Sequence, residues 1–235
     1  MLLDFITQKN KNIMLKSVVF IFISSFMALF PVSNPAGAGL LVSSMLSRVE
    51  EVHRMQLVRR VVVAYALIGL GSLVIGHLVL MLFGLSLPVI QTGGGLLICR
   101  TAWQWLGDSD TTLGRIADVE SSVETVRMLE QHIFYPITFP ITIGPGTISV
   151  ILTLMASTNI RADLRHSLLT YAIIALTILL MAAILYLFLK HGQRVMRRMG
   201  GAGGTLLNKM VAFFTFCVGV QIVAKGASAL FRMVQ

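Results

Sequence analysis

Two short clusters of hydroxyl, amide, glycine and proline residues interrupt an otherwise apolar chain, and such clusters can bind a small zwitterion. Proline removes a backbone N–H group and clashes with the preceding helical turn, so each cluster must break a helix. Free N–H groups at a helix start attract a carboxylate, whereas free carbonyls at a helix end attract an ammonium group. The candidate binding residues are Ser33, Asn34, Pro35, Gly37, Gly39, Thr142, Gly144, Pro145, Gly146, Thr147 and Ser149.

Backbone groups would have to supply most of the charge complementarity at these clusters. Neither 17–47 nor 133–157 contains an Asp, Glu, Lys or Arg. We assign the substrate carboxylate to backbone N–H groups near Gly37, Gly39, Gly146 and Thr147. We assign its ammonium group to Ser33, Asn34 and Thr142. The alternative is that these small residues only pack helices together and that the prolines only kink them.

The two clusters are copies of one pattern. Residues 30–37 read FPVSNPAG and residues 139–146, 109 positions later, read FPITIGPG. Both octamers contain Phe-Pro, a branched aliphatic residue, a hydroxyl residue, a second proline and a closing glycine. Matched helix breaks in the two halves of a chain are typical of secondary transporters, in which they form the binding site near the middle of the bilayer.

The composition indicates a membrane protein. The 235 residues are 56% hydrophobic and 12% charged, with a mean hydropathy of +0.84. Soluble domains contain about 25% charged residues. The formal charge of +9 comes from basic residues that mostly lie between the apolar runs, so we interpret them as topology signals and expect no nucleic-acid partner.

Apolar runs predict an all-α fold with six membrane crossings. They lie at about 17–47, 61–83, 88–106, 132–157, 167–189 and 205–231. The first run would be about 46 Å long as a straight helix, against a hydrocarbon core of about 30 Å, so we expect it to be broken. The glycine-rich residues 200–204 predict a flexible connector between the last two crossings.

The crossings divide the single membrane domain into two repeats, at about 17–106 and 132–231, joined by a linker at 107–131. Basic residues outside the crossings number eleven on one face and six on the other. This distribution predicts that both termini lie outside the cell. Because each repeat has an odd number of crossings, the two repeats must be inverted relative to each other.

A weaker repeat links the third crossing of each half. Residues 94–100 read GGLLICR and residues 219–225 read GVQIVAK. Each segment ends on a cation, Arg100 or Lys225, inside an apolar run. These cations could extend to the membrane surface through their methylene groups or could face a binding cavity.

We find no catalytic motif in the sequence, so we do not expect an enzyme. The sequence contains no GxSxG or HExxH motif and no paired intramembrane aspartates. We expect no cofactor and no metal site, although a proton or sodium ion could drive transport. Two other functions stay open: a channel for water or a small ion, and a membrane scaffold that transports nothing.

The chain resembles the MarC family of bacterial inner-membrane proteins, which includes the SnatA amino-acid transporters, over about residues 17–231. The similarity rests on NPxG at residues 34–37 and GPG at residues 144–146. The resemblance implies a multi-pass fold of two inverted three-helix repeats and assembly into homodimers. It also implies secondary transport of small neutral amino acids such as glycine and alanine.

Overall fold

The computed structural model describes residues 2–46, 49–107, 133–156 and 164–234. Every secondary-structure element in these ranges is helical, as the sequence predicts. The elements are α1 (Leu2–Ser33), α2 (Pro35–Met45), α3 (Glu51–Leu82), α4 (Leu87–Gly107), a π-helical segment (Ile133–Thr142), α5 (Pro145–Ala156) and α6 (Leu164–Val234). Apart from Gly107, which ends α4, the predicted linker 107–131 lies outside the described residues.

Four helical stretches are long and apolar enough to cross a membrane. They are Lys16–Ser33, Glu51–Gly76, Ser167–Gly192 and Ala212–Met233. They overlap the predicted first, second, fifth and sixth crossings, with bounds that differ most for the first two. The predicted third crossing corresponds to α4 and the fourth to the π-helical segment with α5. Neither is among the four stretches, because α4 includes Gln91, Arg100 and Gln104 among its apolar residues, and the fourth crossing is broken into short pieces.

Helix α6 must bend. Its Phe188 packs against Gly39, and its Thr215 donates a hydrogen bond to Pro31. Gly39 and Pro31 are only eight residues apart in the chain. A straight helix would separate Phe188 from Thr215 by about 40 Å. The stretch between them includes residues 200–204, where the prediction of a flexible connector is wrong, because the structure continues the helix there. Glycine lowers helix propensity, but it also permits the curvature that the contacts on either side require.

The second half of α6 packs against α4 at backbone contact distance. A Cβ atom added to Gly95 would lie 2.8 Å from the Val223 nitrogen and 2.9 Å from the Gly219 oxygen. Farther along, Gly226 meets Thr92, so the position on α6 rises as the position on α4 falls and the helices are antiparallel. The two segments of the weaker sequence repeat are therefore direct neighbours.

A lysine closes the end of α4. The Lys209 ammonium group on α6 donates a hydrogen bond of 3.3 Å to the Trp105 carbonyl and a second one to the Leu106 carbonyl. The last carbonyls of a helix lack N–H partners and form the negative end of its dipole. Lys209 thus caps α4 and attaches it to α6.

The two cations of the weaker repeat lie on the outside of this helix pair. Arg100 and Lys225 are both exposed. Of the two interpretations, this position favours side chains that extend to the membrane surface, since neither cation lies in the protein interior.

Candidate functional site

The first helix break is one residue long. Helix α1 ends at Ser33 and α2 begins at Pro35. Between them Asn34 has a φ of +41°, in the left-handed region that asparagine tolerates better than most residues other than glycine. A single left-handed residue redirects the chain without an extended loop, so both helix ends stay inside the protein: Asn34 is 5% exposed.

Asn34 also caps the helix that follows it. Its Oδ1 atom accepts a hydrogen bond of 2.9 Å from the Gly37 N–H group, and its carbonyl accepts one of 2.9 Å from Ala38. This is the N-cap arrangement, in which a side-chain oxygen binds an otherwise free amide of the first turn. A side chain at Gly37 would overlap the Asn34 amide group, so the glycine makes room for the cap.

The carbonyl that Pro35 deprives of its helical partner is bound from another helix. In a continuous helix the N–H group of residue 35 would bond to the Pro31 carbonyl, and proline has no such group. The Thr215 hydroxyl, on α6, donates to the Pro31 oxygen at 2.6 Å. Sequence reasoning did not identify Thr215, which is 184 residues away and lies in a segment predicted only as a crossing.

A hydrogen bond between two hydroxyl groups also holds the end of α1. The Ser33 Oγ and Tyr65 Oη atoms are 2.6 Å apart and both residues are buried. Tyr65 lies on α3 and was also missed. Its signal was present in the sequence, since it is the only tyrosine in the apolar run 61–83 and a buried tyrosine hydroxyl usually finds a partner.

The second break has a different geometry from the first. Residues Ile133–Thr142 are π-helical, and the Ile143 N–H group donates to the Thr138 carbonyl five residues earlier at 2.9 Å. The Gly144 carbonyl accepts the first bond of α5 from Ile148 at 3.2 Å, and Pro145 occupies the first helical position. Proline suits this position because its missing N–H group would have had no helical partner.

The two breaks are neighbours in space. A Cβ atom added to Gly146 would lie 2.5 Å from Ile98 Cγ1 and 3.5 Å from Val32 Cγ1. Val32 belongs to the first octamer and Gly146 to the second, while Ile98 belongs to the glycine-rich segment of α4. The structure therefore brings together the three sequence features that the repeats singled out.

Other candidate residues contact different helices. Gly39 packs against α6, where an added Cβ atom would lie 2.5 Å from Phe188 Cβ. The Ser149 hydroxyl donates to the Ile90 carbonyl of α4 at 3.0 Å. Thr142 bonds back to the Thr138 carbonyl at 2.9 Å. Gly39 and Ser149 thus connect the breaks to neighbouring helices, whereas the Thr142 bond stays within the π-helical segment.

Exposure differs between the two helix starts. Ser33, Asn34 and Pro35 are buried, whereas Gly144 and Gly146 are half-buried and Pro145 is exposed. The start of α5 is thus the more accessible of the two. The residues that the structure describes contain no cluster of three or more His, Cys, Asp and Glu side chains that could hold a metal ion.

A family model described as "MarC family integral membrane protein" matches residues 19–231. The chain belongs to the MarC family. The resemblance predicted from residues 34–37 and 144–146 is confirmed, and the chain is an integral membrane protein of this family.

Relatives of this MarC-family chain come from archaea and bacteria. A UPF0056 membrane protein of Methanocaldococcus jannaschii is 28% identical over 87% of this chain and 95% of its own length. The UPF0056 membrane protein YvbG of Bacillus subtilis is 23% identical over 88% and 93%. The inner membrane protein MarC of Escherichia coli is 29% identical over 64% and 68%. No solved structure matches the chain.

Proposed function

We propose that this MarC-family protein is a secondary transporter of small neutral amino acids, such as glycine and alanine, which it binds between the two helix breaks. The observation that supports this proposal is the contact between Val32 and Gly146, which places the two copies of one interrupted motif side by side. Irregular backbone at membrane depth is tolerated only where protein, ligand or water supplies its hydrogen bonds.

The substrate carboxylate binds at the start of α5. Gly146 and Thr147 are in the first turn after Pro145, where N–H groups and the positive end of the helix dipole favour an anion. The start of α2 is less available, because the Gly37 amide already bonds to Asn34 Oδ1. That bond leaves the Asn34 NH2 group as a donor, so in the proposed complex Asn34 contacts the carboxylate instead of the ammonium group.

The ammonium group binds hydroxyl and carbonyl oxygens near the end of α1 and of the π-helical segment. Ser33 and Thr142 are both buried next to these ends. An ammonium group needs acceptors, and a serine hydroxyl has lone pairs to spare even when it bonds to Tyr65. Ile98 lies close to Gly146 and leaves little space beside it. In the proposed complex this limits the substrate to amino acids with small side chains.

Alternating access requires the two halves to be related by inversion. The antiparallel packing of α4 against residues 212–233 is the relation expected for equivalent third helices of two inverted repeats. We propose six crossings, a homodimer and both termini outside the cell. We place the protein in a bacterial inner membrane, as the name of the Escherichia coli relative states for that protein. A proton or sodium gradient is the proposed driving force.

Thermal unfolding with added amino acids tests substrate binding. A ligand that binds only the native state raises the melting temperature by mass action. We expect glycine, alanine or serine to stabilise the purified protein, with or without sodium, whereas leucine and phenylalanine do not. The Gly146→Ala variant should lose the shift, because its Cβ atom would lie 2.5 Å from Ile98 Cγ1.

The control variant is Gly93→Ala, whose added Cβ atom meets nothing within 4 Å. It should keep the shift. Equal stabilisation of the wild-type protein by all twenty amino acids, or by none, would contradict the proposal.

A further inference from the structure

Two exposed cations, Arg59 on α3 and Lys190 on α6, lie near one end of the contact between these helices. The Lys190 ammonium nitrogen is 5.8 Å from the centre of the Tyr186 ring. The Tyr186 hydroxyl in turn donates to the Met55 sulfur at 3.9 Å. Tyr186 and Met55 are half-buried, and we refer to their contact as the floor of the surface between the two helices.

Arg59 lies one turn after Met55 on the other helix. Contacts of Met55 with Tyr186 and of Gly69 with Ile178 show that α3 and this part of α6 are antiparallel. Helical side chains lean toward the N-terminus of their own helix. Lys190 leans back over Tyr186 in this way. We expect Arg59 to lean back toward Met55 likewise, which brings both cations to the level of the Met55–Tyr186 contact.

Nearby carboxylates do not neutralise these cations. Glu50 lies 3.4 Å from the His53 ring and Glu51 lies 4.0 Å from Arg54. Arg59 and Lys190 are exposed, and within the described ranges neither has a carboxylate at ion-pair distance. The surface that they form with Met55 and Tyr186 is positively charged, with an apolar and aromatic floor.

The position of this surface relative to the apolar spans favours a lipid partner. Glu51–Gly76 and Ser167–Gly192 are two of the stretches able to cross a membrane, and the surface lies at the shared end of both. Lys, Arg and Tyr at such ends lie at the depth of the headgroups. A headgroup phosphate can accept hydrogen bonds from both cations while its acyl chains pass along the exposed apolar face of α3, which includes Val63 and Leu67.

We propose that this surface is a binding site for an anionic phospholipid, with Arg59 and Lys190 on the phosphate and the headgroup over the Met55–Tyr186 contact. The alternative is that these cations only orient the chain in the membrane and bind no particular lipid. The two cases differ in whether a defined lipid stabilises the folded protein through these two residues.

Melting of the purified protein in mild detergent, with phosphatidylglycerol or phosphatidylcholine added at equal concentration, tests the site. Phosphatidylglycerol should raise the melting temperature more than phosphatidylcholine does. The R59Q/K190Q variant should lose this difference, and R59K should keep it because the charge remains. From titrations of the shift we expect the apparent affinity to fall about fivefold for each cation removed.

The matched control is R100Q/R232Q, which removes two exposed cations elsewhere. It should respond to phosphatidylglycerol as the wild-type protein does. Should R59Q/K190Q not fold, the single variants R59Q and K190Q supply the same comparison. Equal responses of all variants, or equal stabilisation by soluble glycerol 3-phosphate, would overturn the proposal.

Discussion

The Thr215 hydroxyl donates a hydrogen bond of 2.6 Å to the Pro31 carbonyl, which is the carbonyl that Pro35 leaves without a helical partner. This relationship explains how a proline break survives in an apolar environment, where an unsatisfied backbone group costs several kcal/mol. It also connects the break in the first half of the chain to the last helix, so the geometry of the candidate site depends on residues far apart in sequence.

Replacing Thr215 with valine should destabilise the protein. The side chain keeps its shape but loses the donor, and a buried acceptor left unpaired costs about 1–3 kcal/mol. Unfolding in a detergent series would measure this loss. The control is Thr101→Val, because the Thr101 hydroxyl bonds only within its own helix at an exposed position. Equal stability of Thr215→Val and the wild-type protein would show that another group satisfies Pro31.

Replacing Ser43 with alanine should have the opposite effect. Ser43 is 1% exposed, and its hydroxyl has no hydrogen-bond partner among the described residues. Its removal avoids the cost of burying an unpaired polar group, so we expect a gain of about 1 kcal/mol in the same unfolding series. A loss of stability would contradict this prediction and would mean that the Ser43 hydroxyl is hydrogen-bonded in the folded protein.

Asn34 combines two properties that substitutions can separate. Glycine accepts the positive φ but lacks the cap, whereas alanine lacks the cap and is strained in the left-handed region. Asn34→Ala should therefore be less stable than Asn34→Gly, by about 1 kcal/mol, the cost of left-handed geometry for a residue with a Cβ atom. Both variants should bind alanine less well, because both lack the amide group. Thermal unfolding with and without alanine measures both effects. Equal stabilities would exclude the left-handed geometry at this residue.

The Ser33–Tyr65 pair can be tested by a double-mutant cycle. Ser33→Ala and Tyr65→Phe each remove one hydroxyl of a buried pair at 2.6 Å, and we expect a coupling energy of about 0.5–3 kcal/mol. Tyr171→Phe, paired with Ser33→Ala, is the control and should show no coupling. Additive effects of Ser33→Ala and Tyr65→Phe would show that the two hydroxyls do not stabilise each other.

The sequence predicted the helical elements and the pairing of the two octamers because both follow from local patterns. Hydropathy identifies apolar runs, and the repeated FPxS and FPxT segments align without gaps. The sequence alone could not predict that the first break is a single left-handed residue or that the second is π-helical. Those outcomes depend on which backbone groups find partners on other helices, as Pro31 does with Thr215.

Partners far apart in sequence were also missed. The sequence indicates that Tyr65 is a buried hydroxyl in need of a partner, but it does not show that this partner is Ser33 or that Lys209 caps α4. The glycines at 200–204 predicted a flexible connector, yet they lie within a helix. The contacts on either side require α6 to bend between Phe188 and Thr215, and no local pattern in the sequence indicates such a bend.

Exchange of radiolabelled alanine across proteoliposomes tests the central claim most directly. With unlabelled alanine inside, we expect the wild-type protein and Gly93→Val to accumulate label transiently, as a carrier does. We expect Gly146→Val to accumulate none, although it inserts into the membrane as well as Gly93→Val does. Equal exchange by Gly146→Val and the wild-type protein, or no exchange of alanine or glycine by any of them, would contradict a substrate site at the two helix breaks.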